Sequence, residues 1–95
     1  MNVLWTEAAI AQLEAIHGYI EQTSPEYARR IVDQLTSRSI QIAQFPLSGR
    51  SVPEYQLNEL RELIEGSYRI IYLVKQEENR IEILAVVHHS RDIPT

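Results

Sequence analysis

Residues 60–88 read LRELIEGSYRIIYLVKQEENRIEILAVVH, and this stretch decides the fold. It divides into three runs of strand-forming residues separated by two short polar connections. The runs are Leu60–Glu65, Tyr68–Lys75 and Arg80–His88, and the connections are 66–67 and 76–79. Runs rich in β-branched and aromatic residues that are joined by such short turns are typical of hairpins. The pattern therefore predicts an antiparallel β-meander.

The three runs differ in how their apolar residues alternate. Apolar side chains occupy both faces of the middle run, Tyr68–Lys75, which predicts a central strand. In the last run, side chains that share a face should recur at every second position. This predicts one face with Ile81, Ile83, Ala85 and Val87 and the other with Glu82, Leu84 and Val86.

The first half of the chain predicts one short strand and two helices. Residues 2–5 are apolar and end at Thr6, so we expect a brief edge strand followed by an N-cap. Apolar residues then recur every three or four positions over 7–22, which is the period of an amphipathic helix. A second helix should begin after Ser24, with Pro25 in its first turn, and end near Phe45 because Pro46 follows.

The order strand, helix, helix, three strands predicts an α+β domain. We expect a short N-terminal strand and an α-helical hairpin packed on one face of the antiparallel β-meander, all within a single domain of residues 1–95. Between residues 47 and 58 the periodicity fails, so an irregular loop is predicted there. Loops of this length often carry function.

Composition excludes several classes of function. The chain has 95 residues, no cysteine and a formal net charge of −4, with 44% hydrophobic and 23% charged residues. Disulfides and thiol chemistry are excluded, and we expect no cofactor. The acidic balance disfavours general nucleic-acid binding, which needs a positive excess. No apolar run reaches the ~20 residues that span a bilayer, so we expect a cytoplasmic protein without membrane contact.

A group of cationic side chains gathers near the meander and could form one cationic edge. The group consists of Arg50, Arg61, Arg69, His88, His89 and Arg91. The alternative interpretation is that these are strand-edge charges paired with Glu54, Glu62 and Asp92. Both interpretations stay open on the sequence alone.

The two adjacent histidines bear on metal binding and on catalysis. Alternation should point His88 and His89 to opposite faces, so only one of them could join a given site, and we expect no metal site. Glu54 as general base, His89 as acid and Arg69 as a charge stabiliser would be competent for RNA cleavage by 2′-hydroxyl attack. No spacing rule ties these three residues together.

The aromatic side chains are dispersed along the chain and not clustered with arginines. We therefore expect them to belong to the core or its margin and not to a base-stacking platform. These residues are Trp5, Tyr19, Tyr27, Phe45, Tyr68 and Tyr72.

Motifs along nearly the whole chain resemble the ParE-type toxins of the RelE/ParE superfamily. They are Trp5-Thr6, Ile16 to Ile20 ahead of Ser24-Pro25-x-x-Ala28, Phe45-Pro46-x-x-Gly49-Arg50-x-x-Pro53-Glu54, Arg61-Glu62-Leu63, Tyr68-Arg69-Ile70-Ile71-Tyr72 and His88-x-x-Arg91-Asp92. The resemblance implies the toxin of a type II toxin-antitoxin system, held inactive by a cognate antitoxin whose C-terminal segment wraps over the hairpin and the sheet. It also implies that free toxin blocks DNA gyrase without being an enzyme.

The related RelE and YoeB toxins instead cleave messenger RNA in the ribosomal A site. Glu54, Arg69 and His89 stand about where YoeB-like toxins carry acid-base residues, but Ser90 replaces their tyrosine and Lys75 is the only lysine. We therefore favour gyrase as the target over ribosome-dependent RNA cleavage. A third hypothesis is a degenerate module that only binds its antitoxin.

The predicted target-binding surface is cationic. It consists of Arg50, Arg61, Arg69, His89 and Arg91, acting as hydrogen-bonding cations. This hypothesis predicts that Arg69→Ala abolishes toxicity and leaves antitoxin binding intact.

Overall fold

A computed structural model describes residues 1–89, which form two helices and a five-stranded sheet. The elements are β1 (Asn2–Trp5), α1 (Glu7–Glu21), α2 (Pro25–Gln44), β2 (Arg50–Ser51), β3 (Leu60–Glu65), β4 (Tyr68–Lys75), a 3-10 turn (Gln76–Glu78) and β5 (Arg80–His88). The predicted α+β class is confirmed. Neither helix in this part of the chain is long and apolar enough to cross a membrane.

The sheet has the strand order β1-β5-β4-β3-β2. Strands β3, β4 and β5 pair antiparallel, which confirms the predicted meander with β4 at its centre. Strand β1 lies at one edge, as predicted, and pairs parallel with β5. The other edge is the two-residue strand β2, which lies inside the predicted loop and pairs with β3.

Both predicted helix caps are present. The Thr6 hydroxyl accepts a hydrogen bond from the amide of Ala9 (3.2 Å) and donates one to the Ile83 carbonyl (2.8 Å), so it joins α1 to β5. The Ser24 hydroxyl accepts from the Tyr27 amide (3.2 Å). These side chains satisfy amides that have no partner within their own helix.

The hairpin packs on one face of the sheet and leaves a smaller apolar cluster on the other. The helix-side core contains Ala9, Leu35, Ile42, Ile70, Tyr72, Val74, Ile81, Ile83 and Val86. The second cluster centres on Val52, Leu60 and Ile71 and lies on what is called here the open face of the sheet. The loop that follows β2 covers part of this face through Val52 and Tyr55.

The predicted alternation along β5 is wrong beyond Ile83, because the strand contains a β-bulge. Ile71 pairs with Ala85 and Tyr72 pairs with Ile83, so Leu84 is the extra residue. A bulge moves the following side chains to the opposite face. Val86 therefore joins the helix-side core, and Ala85 packs on the open face.

The prediction that all the aromatic residues are core or core margin is also wrong in part. Tyr72 is fully buried, but Tyr19 is 77% exposed, Tyr27 47% and Phe45 63%. Trp5 is half-buried and its indole N–H donates to the Ser39 hydroxyl (2.9 Å). Three aromatic side chains are therefore available at the surface.

Candidate functional site

Four charged side chains meet on the open face of the sheet. Arg50 on β2 pairs in register with Glu62 on β3, and Glu62 pairs with Ile71 on β4. Arg69 lies two residues before Ile71 and so shares its face. The loop after β2 brings Glu54 to the same guanidinium.

Arg69 holds two carboxylates at once. Its terminal nitrogens donate to the two oxygens of Glu54 (both 2.8 Å), while its Nε donates to Glu62 Oε2 (2.6 Å). The other oxygen of Glu62 accepts from Arg50 Nε (2.8 Å). Two cations and two anions thus form a continuous neutral network, called here the arginine-glutamate network.

The network runs from the interior to solvent. The side chain of Glu62 is 0% exposed and that of Arg69 is 6% exposed, whereas Glu54 is 23% and Arg50 is 64% exposed. The pKa of Arg69 is raised above its usual value by hydrogen bonding to Glu54; burial acts in the opposite direction, and Glu62 reinforces the rise. Arg69 is therefore permanently charged, and its guanidinium is hydrogen-bonded to both carboxylates.

Arg61 does not join this network, although one of the two interpretations of the sequence grouped it with Arg50 and Arg69 on one cationic edge. It pairs in register with Tyr72, whose side chain belongs to the helix-side core, so it lies on the opposite face from Arg69. Its guanidinium donates to the Asn58 carbonyl (2.7 Å), the Asn58 side chain (2.6 Å) and the Gly49 carbonyl (3.1 Å). Arg61 therefore fastens the loop between β2 and β3.

The alternative interpretation, in which these cations pair with Glu54 and Glu62, describes Arg50 and Arg69 correctly. Arg91, the last member of the predicted target-binding surface, lies outside the described residues, as do Asp92 and Ser90.

The prediction that His88 and His89 point to opposite faces is wrong. Their rings stack with centroids 5.5 Å apart, and the His88 ring meets Tyr68 edge-on at 5.9 Å. Strand β5 ends at His88, so strict alternation does not extend to His89, whose amide donates to the Ser67 carbonyl (2.8 Å). Within residues 1–89, no hydrogen bond or ion pair joins His89 to Glu54 or Arg69.

Sequence reasoning did not single out the residues that anchor the start of the loop. The buried Tyr72 hydroxyl donates to the Pro46 carbonyl (2.7 Å) and accepts from the Gly49 amide (3.0 Å). A Cβ at Gly49 would lie 2.5 Å from the Glu62 carbonyl oxygen. A tyrosine in a central strand was the available signal, because a buried hydroxyl needs a partner. This anchor positions Arg50, the next residue.

The described residues hold no group of three or more histidine, aspartate or glutamate side chains arranged to bind a metal ion.

A hairpin of two helices on a meander sheet is also the fold found in solved structures from ParDE and RelBE toxin-antitoxin systems. The family model for the ParE toxin of the type II toxin-antitoxin system parDE matches residues 3–93. The chain therefore belongs to the ParE toxin family.

Individual relatives agree with this assignment. Toxin RelE2 of Caulobacter vibrioides is 34% identical over 91 residues, covering 95% of this chain and 97% of the relative. Y4kP of Sinorhizobium fredii is 31% identical over 95 residues, covering 98% of this chain and 93% of its own length.

A solved structure of the chromosomal ParDE system from P. aeruginosa superimposes with a TM-score of 0.74 at 26% identity. It covers 93% of this chain and 95% of the other. The RelBE2 toxin-antitoxin complex from Mycobacterium tuberculosis has the same fold, with a TM-score of 0.66 at 22% identity and coverages of 92% and 95%.

Proposed function

We propose that this toxin acts on DNA gyrase without cleaving RNA and that a cognate antitoxin neutralises it in the cytoplasm. The observation that carries the choice of target is the arginine-glutamate network. Glu54 and Arg69, the residues that an RNA-cleaving toxin of this type would use, are bound to each other.

A general base needs a carboxylate oxygen that can reach the substrate hydroxyl. Both Glu54 oxygens accept hydrogen bonds from Arg69 at 2.8 Å, and the same guanidinium holds the buried Glu62. Turning Arg69 toward a scissile phosphate would leave Glu62 charged and buried without this partner, which costs several kcal/mol. The histidine that should complete the set, His89, packs on His88 instead.

Net charge supports the same choice. The chain carries −4, whereas a protein that docks on ribosomal RNA draws its affinity from a cationic surface. A protein target places no such demand on the toxin.

Of the predicted target-binding residues, Arg50 is the one best placed to contact a partner. Its side chain is 64% exposed while its Nε stays hydrogen-bonded to Glu62. In this proposal Arg69 and Glu62 act as positioning residues that hold Arg50 and the loop, and Arg61 holds the loop from the other face. His89 and Arg91 remain predicted contacts.

The antitoxin is proposed from similarity to toxins whose solved structures come from ParDE and RelBE systems. Its C-terminal segment would cover apolar residues that the fold leaves outside, among them Ile40 (65% exposed) and Leu47 (47% exposed). It could also add a strand beside β1, whose outer edge has no neighbouring strand within residues 1–89.

The test is a supercoiling assay with purified toxin, DNA gyrase and relaxed plasmid, with and without the protein encoded beside the toxin gene. We expect inhibition that this protein relieves. Arg50→Ala should weaken inhibition, whereas the matched variant Arg80→Ala should not, because Arg80 is also an ion-paired surface arginine but lies on the β4–β5 hairpin. Arg80→Ala should unfold within a few degrees of the wild type, since surface ion pairs contribute only about 0–1 kcal/mol. Arg50→Ala removes one of the two partners of the buried Glu62, so its thermal unfolding is measured to establish that it is folded in the assay.

Ribosome-dependent cleavage is measured in parallel by mapping message ends in a purified translation system. Cleavage by wild-type toxin that Glu54→Gln or His89→Ala abolishes would replace the gyrase proposal with the nuclease. Harmless induction of folded wild-type toxin in cells would support a module that only binds its antitoxin.

A further inference from the structure

Five aromatic rings from both layers of the fold converge at one end of the molecule. Tyr19 lies near the end of α1, Tyr27 near the start of α2 and Tyr68 at the start of β4. His88 is the last residue of β5, and His89 follows it. The ring of Tyr68 meets His88 at 5.9 Å, and His88 stacks on His89 at 5.5 Å. These five residues are called here the aromatic end.

Tyr19 and Tyr27 flank the turn between the two helices, and α1 runs along β5 toward His88, because Thr6 contacts Ile83 and Gln12 contacts Val86. The pKa of Tyr68 is raised, first by burial and then by the phenolic groups of Tyr27 and Tyr19. Tyr68 packs against the helix-side core, while Tyr19 and Tyr27 are 77% and 47% exposed. The partly buried ring of Tyr68 thus supports a surface on which two tyrosines project to solvent. Exposed aromatic clusters of this kind are typical of binding hot spots, in which tyrosine and arginine are enriched.

Two arginines without partners lie beside this surface. Among the lysines and arginines of residues 1–89, only Arg29 and Arg30 have side chains that make no hydrogen bond or ion pair. Arg30 follows Tyr27 by three residues and so lies on nearly the same face of α2. Both arginines stay unpaired although Glu26 and Asp33 line the same shallow groove.

We propose that the aromatic end, together with Arg30, is a second surface through which the toxin docks on its target protein, in addition to Arg50. The target would present carboxylates to Arg30 and a surface that accepts the two tyrosine rings. Charge complementarity supports a protein partner with an acidic patch, because the guanidinium of Arg30 has no acceptor among residues 1–89 and is able to pair with a carboxylate of the partner. The inference rests on the proposed function in one respect only, that the toxin has a protein target.

The test compares three variants for growth arrest on induction without antitoxin. Tyr19→Ala/Tyr27→Ala removes the exposed rings, and Arg30→Glu reverses the charge. The matched control, Phe45→Ala/Leu57→Ala, removes two exposed apolar side chains (63% and 48%), one at the C-cap of α2 and one in the loop before β3. All four altered residues of the double variants are exposed, so each protein should fold.

We expect both aromatic-end variants to lose growth arrest while still binding the antitoxin, and the control to stay toxic. In the gyrase assay, the half-inhibitory concentration of the tyrosine double variant should rise by at least about thirtyfold, the effect of losing one hot-spot side chain. Thermal unfolding and immunoblots establish that the variants are folded and present at wild-type levels.

The outcomes separate this inference from the choice of gyrase. If the wild-type toxin arrests growth but does not inhibit gyrase, gyrase is refuted as the target. The variants still test the docking surface, because growth arrest is measured for each of them. Undiminished arrest by both aromatic-end variants would overturn the surface, and loss of antitoxin binding alone would assign it to the antitoxin. An equal loss of growth arrest in the control variant, or a wild-type toxin that does not arrest growth, would also overturn the proposed docking surface.

Discussion

Replacing Arg69 by methionine removes the cation that joins two carboxylates on the open face of the sheet. Glu62, which is 0% exposed, would then keep only the partly solvated Arg50. Removing one partner of a buried ion pair costs about 3–5 kcal/mol, because the remaining charge has lost both water and its counter-ion. Losing the contact with Glu54 adds only about 0–1 kcal/mol to this cost, because the Glu54 carboxylate reaches solvent.

Arg50 compensates in part, so we expect a loss near the lower limit, about 3 kcal/mol. For a domain of this size that loss lowers the melting temperature by about 12–24 °C. The double variant Arg69→Met/Glu62→Leu removes both buried ions and should recover most of the stability, because apolar residues of similar volume replace a buried pair at little or no cost.

Urea unfolding followed by circular dichroism measures the free energies of unfolding of the wild type, the single variant and the double variant. Arg80→Met is the matched control, since Arg80 pairs with Glu82 at 3.0 Å at the surface, and it should change stability by less than about 1 kcal/mol. A double variant as unstable as Arg69→Met alone would refute the reasoning, and so would a single variant as stable as the control. The same data reinterpret Arg69→Ala, whose lost toxicity would report lost stability and not a lost target contact.

Contacts elsewhere in the described residues set three further expectations. Gly49→Ala should lower the unfolding free energy by about 1–3 kcal/mol, because the added Cβ would overpack. Gly18→Ala should raise it by about 0.5–1 kcal/mol, because no atom lies within 4 Å of the added Cβ. Equal effects of the two substitutions in urea unfolding would contradict this. Burial raises the pKa of the Tyr72 hydroxyl above 10.0, so the contribution of the neutral hydroxyl to stability is fully present below that pH and is lost above it. Tyr72→Phe should therefore flatten the fall in melting temperature between about pH 9 and 11. Thr6→Ala should cost about 0.5–2 kcal/mol by removing the cap of α1, and an unchanged melting temperature would argue against that role.

The helices and the meander could be predicted from the sequence because their determinants are local. Thr6 and Ser24 cap the helices that follow them, and the turn at residues 66–67 joins adjacent strands. Side-chain period and turn chemistry act over a few residues, so a single sequence contains them.

The bulge in β5 could not be predicted, because the strand beside it contacts residues far away in the chain. The Gln12 side chain accepts a hydrogen bond from the Val86 amide at 2.8 Å, across 74 positions. Strand β2 escaped prediction for a similar reason, since two residues show no period and their strand character depends on pairing with β3. The face that each side chain of the site occupies depends on these non-local contacts.

The candidate site shows the same division between residue type and placement. Arg50, Arg69, Glu54 and Glu62 were all identified from the sequence, but their mutual pairing depends on the register of three strands and a loop. Arg29 and Arg30 were not identified, because an arginine on a helix carries no sign of whether a carboxylate will reach it. The exposure of Tyr19 and Tyr27 could not be predicted from the sequence either, since they lie beside apolar positions in amphipathic helices.

The pairing of charges links the fold to the choice of target. Arg50 and Arg69 neutralise Glu54 and Glu62. At the connection between β4 and β5, Lys75 and Arg80 pair with Glu78 and Glu82. These cations therefore offer little attraction to phosphates. A ribosome-directed toxin needs the opposite arrangement, with many unneutralised cations on one face. A protein target needs only a few desolvated anchors, because hot-spot residues supply most of the binding energy. The described chain provides such anchors at the aromatic end, where exposed rings and unpaired arginines occur together.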